Sequence, residues 1–332
     1  MMKKALLLYF MAICMLSKSQ DAYLSHHESA PLSLNPALTG MYFGDNNDYR
    51  IGVNYSSQAL GSFSNGFTTA AVSYDKKINR FGIGAFIINN YSGATHYNRI
   101  NAFLSGAYEI AIDPTYRHNL VTGIQLGIFH HAINTQELTF GNQYNPATGG
   151  FDIHKEAGES FEKTNITIIE AGIGSHYYFH DRETFLNPTI GFSVKHLANL
   201  DVSFYQTRNQ YYPMRFTVYS TWGMNLTPFF QLQPKTFFLI QANDIFFDAG
   251  LFSNILMRES GNEYIIGVLY NCYHEMAVHT GIKFNNNIFR ISYGFNSPAG
   301  NFYSGISNVF EFSIIFTRKT NTSSSFPLNE SL

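Results

Sequence analysis

The chain has 332 residues, enough for one large domain or two ordinary ones, and a formal net charge of -2 with no basic block, which offers nucleic-acid phosphates no binding stripe. Charged residues make up only 13%, against about a quarter in ordinary soluble domains, while aromatics reach 16%. That balance argues against a soluble enzyme, and Cys14 and Cys272 give no intrachain disulfide framework once a leader carrying Cys14 is removed.

Residues 1–19 read as a signal peptide. Lys3 and Lys4 supply positive charge, Ala5–Leu16 form an apolar run, and Ser17 and Ser19 are small residues before a cut ahead of Gln20. The run is shorter than the roughly 20 helical residues that span a bilayer. Lipidation at Cys14 is the weaker reading, because Ile13 is large for the preceding position and the apolar run continues past it. Residues 20–47 are polar with apolar anchors. No later stretch reaches the 18 or so apolar residues of a membrane helix, so the chain is a secreted β-protein or a barrel in an outer membrane.

From Tyr49 onward the pattern settles on period two. Strands are expected near Tyr49–Ser56, Phe67–Ile78, Arg80–Asn90, Tyr97–Ile112, Asn119–Ile133, Asn165–Phe179 and Leu186–His196. They continue near Met214–Leu226, Phe230–Gln241, Ile245–Met257, Glu263–Cys272, Glu275–Phe284, Ile288–Phe295 and Ser307–Thr317, about fourteen in all. In one of them Ile124, Leu126 and Ile128 oppose Gly123, Gln125 and Gly127; in another Phe310, Phe312, Ile314 and Phe316 oppose Glu311 and Ser313. The second face is rich in Gly, Ser, Thr and Asn rather than in the Lys and Glu of a soluble sandwich. This predicts an all-β chain, a transmembrane outer-membrane β-barrel of about 14 antiparallel strands over residues 48–317, with lipid on the apolar face and a lumen lined by small polar groups. The segment 20–47 then lies in that lumen or at its periplasmic mouth, and residues 318–332 form a polar tail. Asp75 to Arg80, Ser260-Gly261-Asn262 and Asn285-Asn286-Asn287 read as tight turns, and about 131–164 and 197–213 as long polar loops. Cys272 alternates with apolar residues and reads as a packed small residue.

Several motifs carry a resemblance. Gln20-Asp21-Ala22-Tyr23-Leu24-Ser25 followed by Ala30-Pro31-Leu32-Ser33-Leu34-Asn35-Pro36-Ala37-Leu38-Thr39-Gly40 looks like the opening of the PorP/SprF family, outer-membrane components of the type IX secretion system. Tyr49 to Tyr55, Phe81-Gly82-Ile83-Gly84, Leu138 to Tyr144, Lys195-His196-Leu197 and Met214-Arg215-Phe216-Thr217 resemble later parts of it. Ala22 stands where a proline is usual, and Gly294 where a Ser-Tyr-Asp step is common. The resemblance implies a noncatalytic barrel in the outer membrane of a Gram-negative bacterium. It further implies association with the translocon or with periplasmic, peptidoglycan-linked subunits, and with a large secreted cargo protein such as an adhesin. From the residues alone, a solute-conducting porin or channel is the alternative.

The candidate sites are few. Asn35, Pro36 and Ala37 read as either an internal brace against the barrel wall or a partner-facing epitope, with Asn35 held extended by the proline and able to cap a turn. Glu170, Lys195, Lys283, Arg290 and Glu311 fall on lumen faces, where they pair with one another or tune ion passage. His26-His27 and His130-His131 lack the further ligands a metal needs, so neither metal nor cofactor is expected. Asp152, His154 and Glu156 imitate a loop active site, but no catalytic motif accompanies them.

Overall fold

A computed structural model of the chain describes residues 24–41, 49–58, 66–93, 96–115, 117–135, 138–146, 148–152, 154–156, 158, 163–181, 183–198, 200–204, 211–242, 244–272, 275–296 and 308–318. The expected signal peptide, residues 20–23 and 42–48, and the expected polar tail after Arg318 lie outside these residues. The strands are β1 (Tyr49–Gln58), β2 (Phe67–Ile78), β3 (Phe81–Ser92), β4 (Tyr97–Ala111), β5 (His118–Ile133), β6 (Tyr144–Asn145), β7 (Gly150–Phe151), β8 (Asn165–Phe179) and β9 (Leu186–Lys195). They continue as β10 (Leu200–Asp201), β11 (Tyr211–Tyr212), β12 (Arg215–Thr227), β13 (Phe230–Gln241), β14 (Asp244–Leu256), β15 (Glu263–Asn271), β16 (Glu275–Phe284), β17 (Asn287–Asn296) and β18 (Val309–Arg318).

Fourteen of them close into one antiparallel barrel, in which β1 completes the ring by pairing with β18 from Tyr49↔Arg318 to Gln58↔Val309. Closure satisfies every strand edge, the condition for a sheet to survive in hydrocarbon. The expected fourteen strands coincide with these to within a few residues. The remaining four strands make two small ladders, β6 with β7 and β10 with β11, inside the two long loops. They are too short to show an alternation, and both fall within stretches expected as long polar loops.

Alternation decides which side each residue meets. Ile124, Leu126, Ile128, Ile169 and Leu104 point outward into the exposed belt, while Ser73, Gln125, Ser193, Thr217, Ser292 and Ser313 are buried inside. Outward aromatics gather toward the two ends, Tyr74, Phe81, Tyr108 and Trp222 at one and Tyr55, Tyr91, Tyr270 and Tyr293 at the other. Aliphatics hold the middle, as an apolar band flanked by aromatic girdles requires. No helix among the described residues is long and apolar enough to cross a membrane; strands do the crossing. Leu104, 70% exposed at mid-strand, therefore faces the bilayer core. Leu104→Arg is expected to cost about 2–4 kcal/mol, read as a shift in urea unfolding of the barrel in lipid vesicles.

The two ends differ. Tight turns at 79–80, 228–229 and 285–286 join strands at the end where β1 begins and β18 finishes, helped by Asn79 and Asn285 at positive φ (55° and 53°). The long loops 134–164 and 196–214 stand at the opposite end. Barrels of this class keep short turns in the periplasm and long loops outside.

One expectation is corrected. Cys272 is exposed rather than packed, because β15 ends at Asn271 and the residue falls in the turn beyond the alternation.

Candidate functional site

The lumen is occupied by the chain's own N-terminal segment, residues 24–41. Its backbone folds as short turns: a 3-10 turn His27–Ser29, a helical turn Pro31–Leu34 and a 3-10 turn Pro36–Leu38. Pro31 and Pro36 start the last two, where a missing N–H costs nothing. Asn35 between them is extended (φ -153°, ψ 126°), and its Oδ1 accepts from Ala37 N at 2.9 Å, capping the second turn. Thr39 Oγ1 closes that turn by donating to Pro36 O at 2.7 Å.

The segment packs because it is apolar where the wall is apolar. Leu24, Ala30 and Leu32 join Phe86, Ile88, Phe103 and Phe129 in one cluster; Leu34 and Leu38 join Tyr219, Phe237, Leu239 and Phe246 in a second; Ala37 and Met41 join Ala107 and Val121 in a third. Glycines on the inner wall let the backbone come close. A methyl group at Gly82 would overlap the Thr39 carbonyl, and one at Gly123 the Pro36–Ala37 peptide.

Polar anchors reach the wall in several directions. The Asn35 amide, fully buried, donates to Ser175 O (2.9 Å), Phe192 O (3.1 Å) and Tyr219 Oη (3.2 Å), which lie on β8, β9 and β12. Ser25 N and His26 N donate to the Glu311 carboxylate at 2.9 and 2.8 Å on β18. Asn54 on β1 donates to Ser29 O at 2.9 Å. Arg50 on β1 forks onto Asp75 on β2 through Nε (3.0 Å) and Nη2 (2.8 Å), while Gly40 N donates to the same carboxylate at 2.7 Å. Glu28 accepts from both Lys235 on β13 and Arg290 on β17. Burial alone would raise the Glu28 carboxyl, but Arg290 and then Lys235 outweigh it and hold the group well below the usual carboxylate range. Glu28 thus stays charged when the pH falls through the range where free glutamate protonates.

Two cavities flank the segment. The larger, about 460 Å³, lies toward the short turns, where Phe179, His180, Gln231 and Lys283 line it; the smaller, about 50 Å³, lies toward the long loops beside Glu170, Lys195 and His196. Leu34 and Phe237 line both and form the partition. Tyr212 of β11, buried in its loop, meets His196 edge-on (4.7 Å) and Phe129 at a tilt (5.3 Å), and accepts from Arg99 at 2.9 Å; all three of those residues line the smaller cavity.

The residues singled out from sequence occupy different parts of this lumen. Asn35, Pro36 and Ala37 sit buried at its centre. Lys195 donates to Ser33 O, Glu170 Oε1 stands 3.0 Å from His196 Nδ1, and Glu311 and Arg290 hold the segment as above. Lys283 lines the larger cavity opposite Glu263 in the strand register. These charges are not brought together as one site. Arg50, Asp75 and Lys235 were not singled out, although each stands on an inward period-two position; Glu28 lies in a stretch without periodicity and had no such signal. His130 pairs outward with Thr167 Oγ1 at 2.7 Å, whereas His131 turns inward to Tyr97. Asp152 and His154 share a local turn, with His154 N donating to Asp152 Oδ1 at 3.0 Å, and Glu156 follows it, exposed. Among the described residues no cluster of His, Cys, Asp and Glu is arranged to hold a metal ion.

The family model for the type IX secretion system membrane protein PorP/SprF matches residues 16–316. The chain belongs to the PorP/SprF family. A closed barrel of that family is an outer-membrane protein of a Gram-negative bacterium. No curated protein matches this PorP/SprF chain. Solved structures share its fold at low identity. The CymD monoaromatic hydrocarbon channel is similar at 12% identity and a TM-score of 0.51, covering 89% of this chain and 94% of that one. The Pseudomonas putida toluene transporter TodX is similar at 8% identity and a TM-score of 0.50, covering 88% and 94%.

Proposed function

We propose that this PorP/SprF barrel is a noncatalytic part of the type IX secretion system, supporting export or surface attachment of particular secreted proteins, with its rims rather than its lumen as working surfaces. The observation that carries this reading is the lumen itself: residues 24–41 are anchored to walls on several sides, and Tyr212 packs on His196, Phe129 and Arg99 toward the long-loop end. A segment held so firmly suits a scaffold better than an open pore. Family membership supports the secretion context. Asn35, Pro36 and Ala37 act as the internal brace, and Glu170, Lys195, Arg290 and Glu311 act in structural pairing. The reading is tested by affinity capture from gently solubilised outer membranes. Translocon subunits, periplasmic peptidoglycan-linked proteins or one very large secreted protein are expected to co-purify, and a deletion strain is expected to lose that cargo from its surface with solute uptake unchanged. Normal cargo display in the deletion strain would overturn it.

A second reading, a gated solute channel, is favoured by the 460 Å³ cavity and by a fold shared with a hydrocarbon channel and a toluene transporter. It expects conductance in planar bilayers that changes when Lys283 or Arg290 is replaced; a barrel that never conducts would sink it.

A further inference from the structure

On the short-turn side of the segment, two wall cations converge on one carboxylate. Lys235 Nζ takes Glu28 Oε1 and Arg290 Nη2 takes Oε2, and all three side chains border the larger cavity. Glu28 uses less than the site offers. Arg290 Nε, His26 Nε2 and His279 Nε2 are buried and have no hydrogen-bond partner among the described residues. His26 and His279 are only 3% and 2% exposed, their rings lie 5.2 Å apart, and both line the same cavity.

Ser29 Oγ donates to Ser313 Oγ at 2.8 Å, so the Ser313 proton is free to go to His26 Nδ1, also at 2.8 Å. In that arrangement the ring proton sits on Nε2, a buried donor of a residue that lines the cavity. Burial, reinforced by Arg290, keeps this imidazole neutral by lowering its pKa to about 3.

We propose that Arg290, Lys235 and the Nε2 of His26 form a carboxylate-binding site open to the periplasmic mouth, with Glu28 as its resident self-ligand. A guanidinium holds a carboxylate best side-on, through two parallel N–H groups. Glu28 engages Nη2 alone, so a carboxylate arriving from the cavity can take Nε and Nη2 together and add His26. The exchange swaps one carboxylate for another and leaves neither cation uncompensated, which keeps its cost low. Phe252, Ile265 and Leu269 form an apolar wall of the cavity, with Lys235 Nζ 4.3 Å above the Phe252 ring. The ligand class is therefore a carboxylate on a short apolar group, supplied by a free acid or by a peptide C-terminus. This site does not depend on the secretion reading.

The test uses the full-length barrel in detergent micelles, titrated with carboxyl-13C butyrate and followed by NMR. Glu28→Gln, which removes the competing carboxylate, is expected to bind butyrate at least tenfold more tightly than the unaltered protein, with butyramide inert. Adding Arg290→Gln to that background is expected to abolish binding, and adding His26→Ala to weaken it severalfold; heat-modifiable electrophoretic mobility verifies that each variant is folded. A tetrapeptide ending in free leucine, against the same peptide amidated, separates the sources: binding of the free peptide alone supports a C-terminus, and butyrate without peptide a small acid. Glu28→Gln showing no saturable butyrate binding, or binding unchanged by both further substitutions, would overturn the proposal.

Discussion

Replacing Asp75 with alanine is expected to destabilise the folded barrel by about 3–5 kcal/mol, because it takes a fully buried, doubly bonded carboxylate away from the buried Arg50 guanidinium. The Asp75 side chain is wholly buried and takes a side-on fork from Arg50 together with the Gly40 amide. Arg50 Nη2 also donates to Leu38 O at 3.1 Å, so one carboxylate ties β1, β2 and the C-terminal end of the lumen segment. The measurement is urea unfolding of the barrel refolded into lipid vesicles. Asp75→Leu with Arg50→Met, which removes both charges, is expected to lose less than Asp75→Ala alone. A loss below about 1 kcal/mol for Asp75→Ala would show that the lumen solvates Arg50 well enough to dispense with its partner.

Asn35→Asp is the second large effect. The change is nearly isosteric, yet it replaces an amide donor with an anionic oxygen facing two backbone carbonyls, those of Ser175 and Phe192. An uncompensated buried charge costs on the order of 3–5 kcal/mol, and here the chain has a route of escape in withdrawing the segment from its seat. Faster amide hydrogen exchange and proteolysis across residues 31–41 are therefore expected, with barrel strands still protected. Asn35→Ala removes the bonds without adding charge and should act in the same direction but less strongly, by about 1–3 kcal/mol. Exchange in Asn35→Asp equal to that of the unaltered protein would contradict the brace.

The wall was legible because period two survives in any single strand. Ile124, Leu126 and Ile128 face lipid while Gly123 and Gln125 face inward, and each such strand can be read without knowing its neighbours. The lumen segment was not legible in the same way. Its turns are three or four residues long, and what holds it is contact with strands far away in sequence, which no local pattern records. The inner glycines show the limit well. As a composition they suggest a small polar lining; only with the segment in place do Gly82 and Gly123 become the points where two backbones touch. Asn35 stood out through a family resemblance, and its capping role follows from the proline beside it, but its three donations to the wall needed coordinates.

The anchors beside the closing seam also set an order in time. Ser25 and Ser29 engage Glu311 and Ser313 on the last strand, the first of these contacts reaching across 286 positions, while Ser29 O meets Asn54 on the first strand. The segment that precedes the first strand thus completes its seat only when the last strand of the barrel has arrived. Zipping β1 to β18 and seating the segment become one late event, with loop-closure entropy fully spent before either contact is gained. Until that moment an inserting sheet has an open edge and an unfilled interior together, so an arrest at the last strand would leave both exposed to the assembly machinery at once.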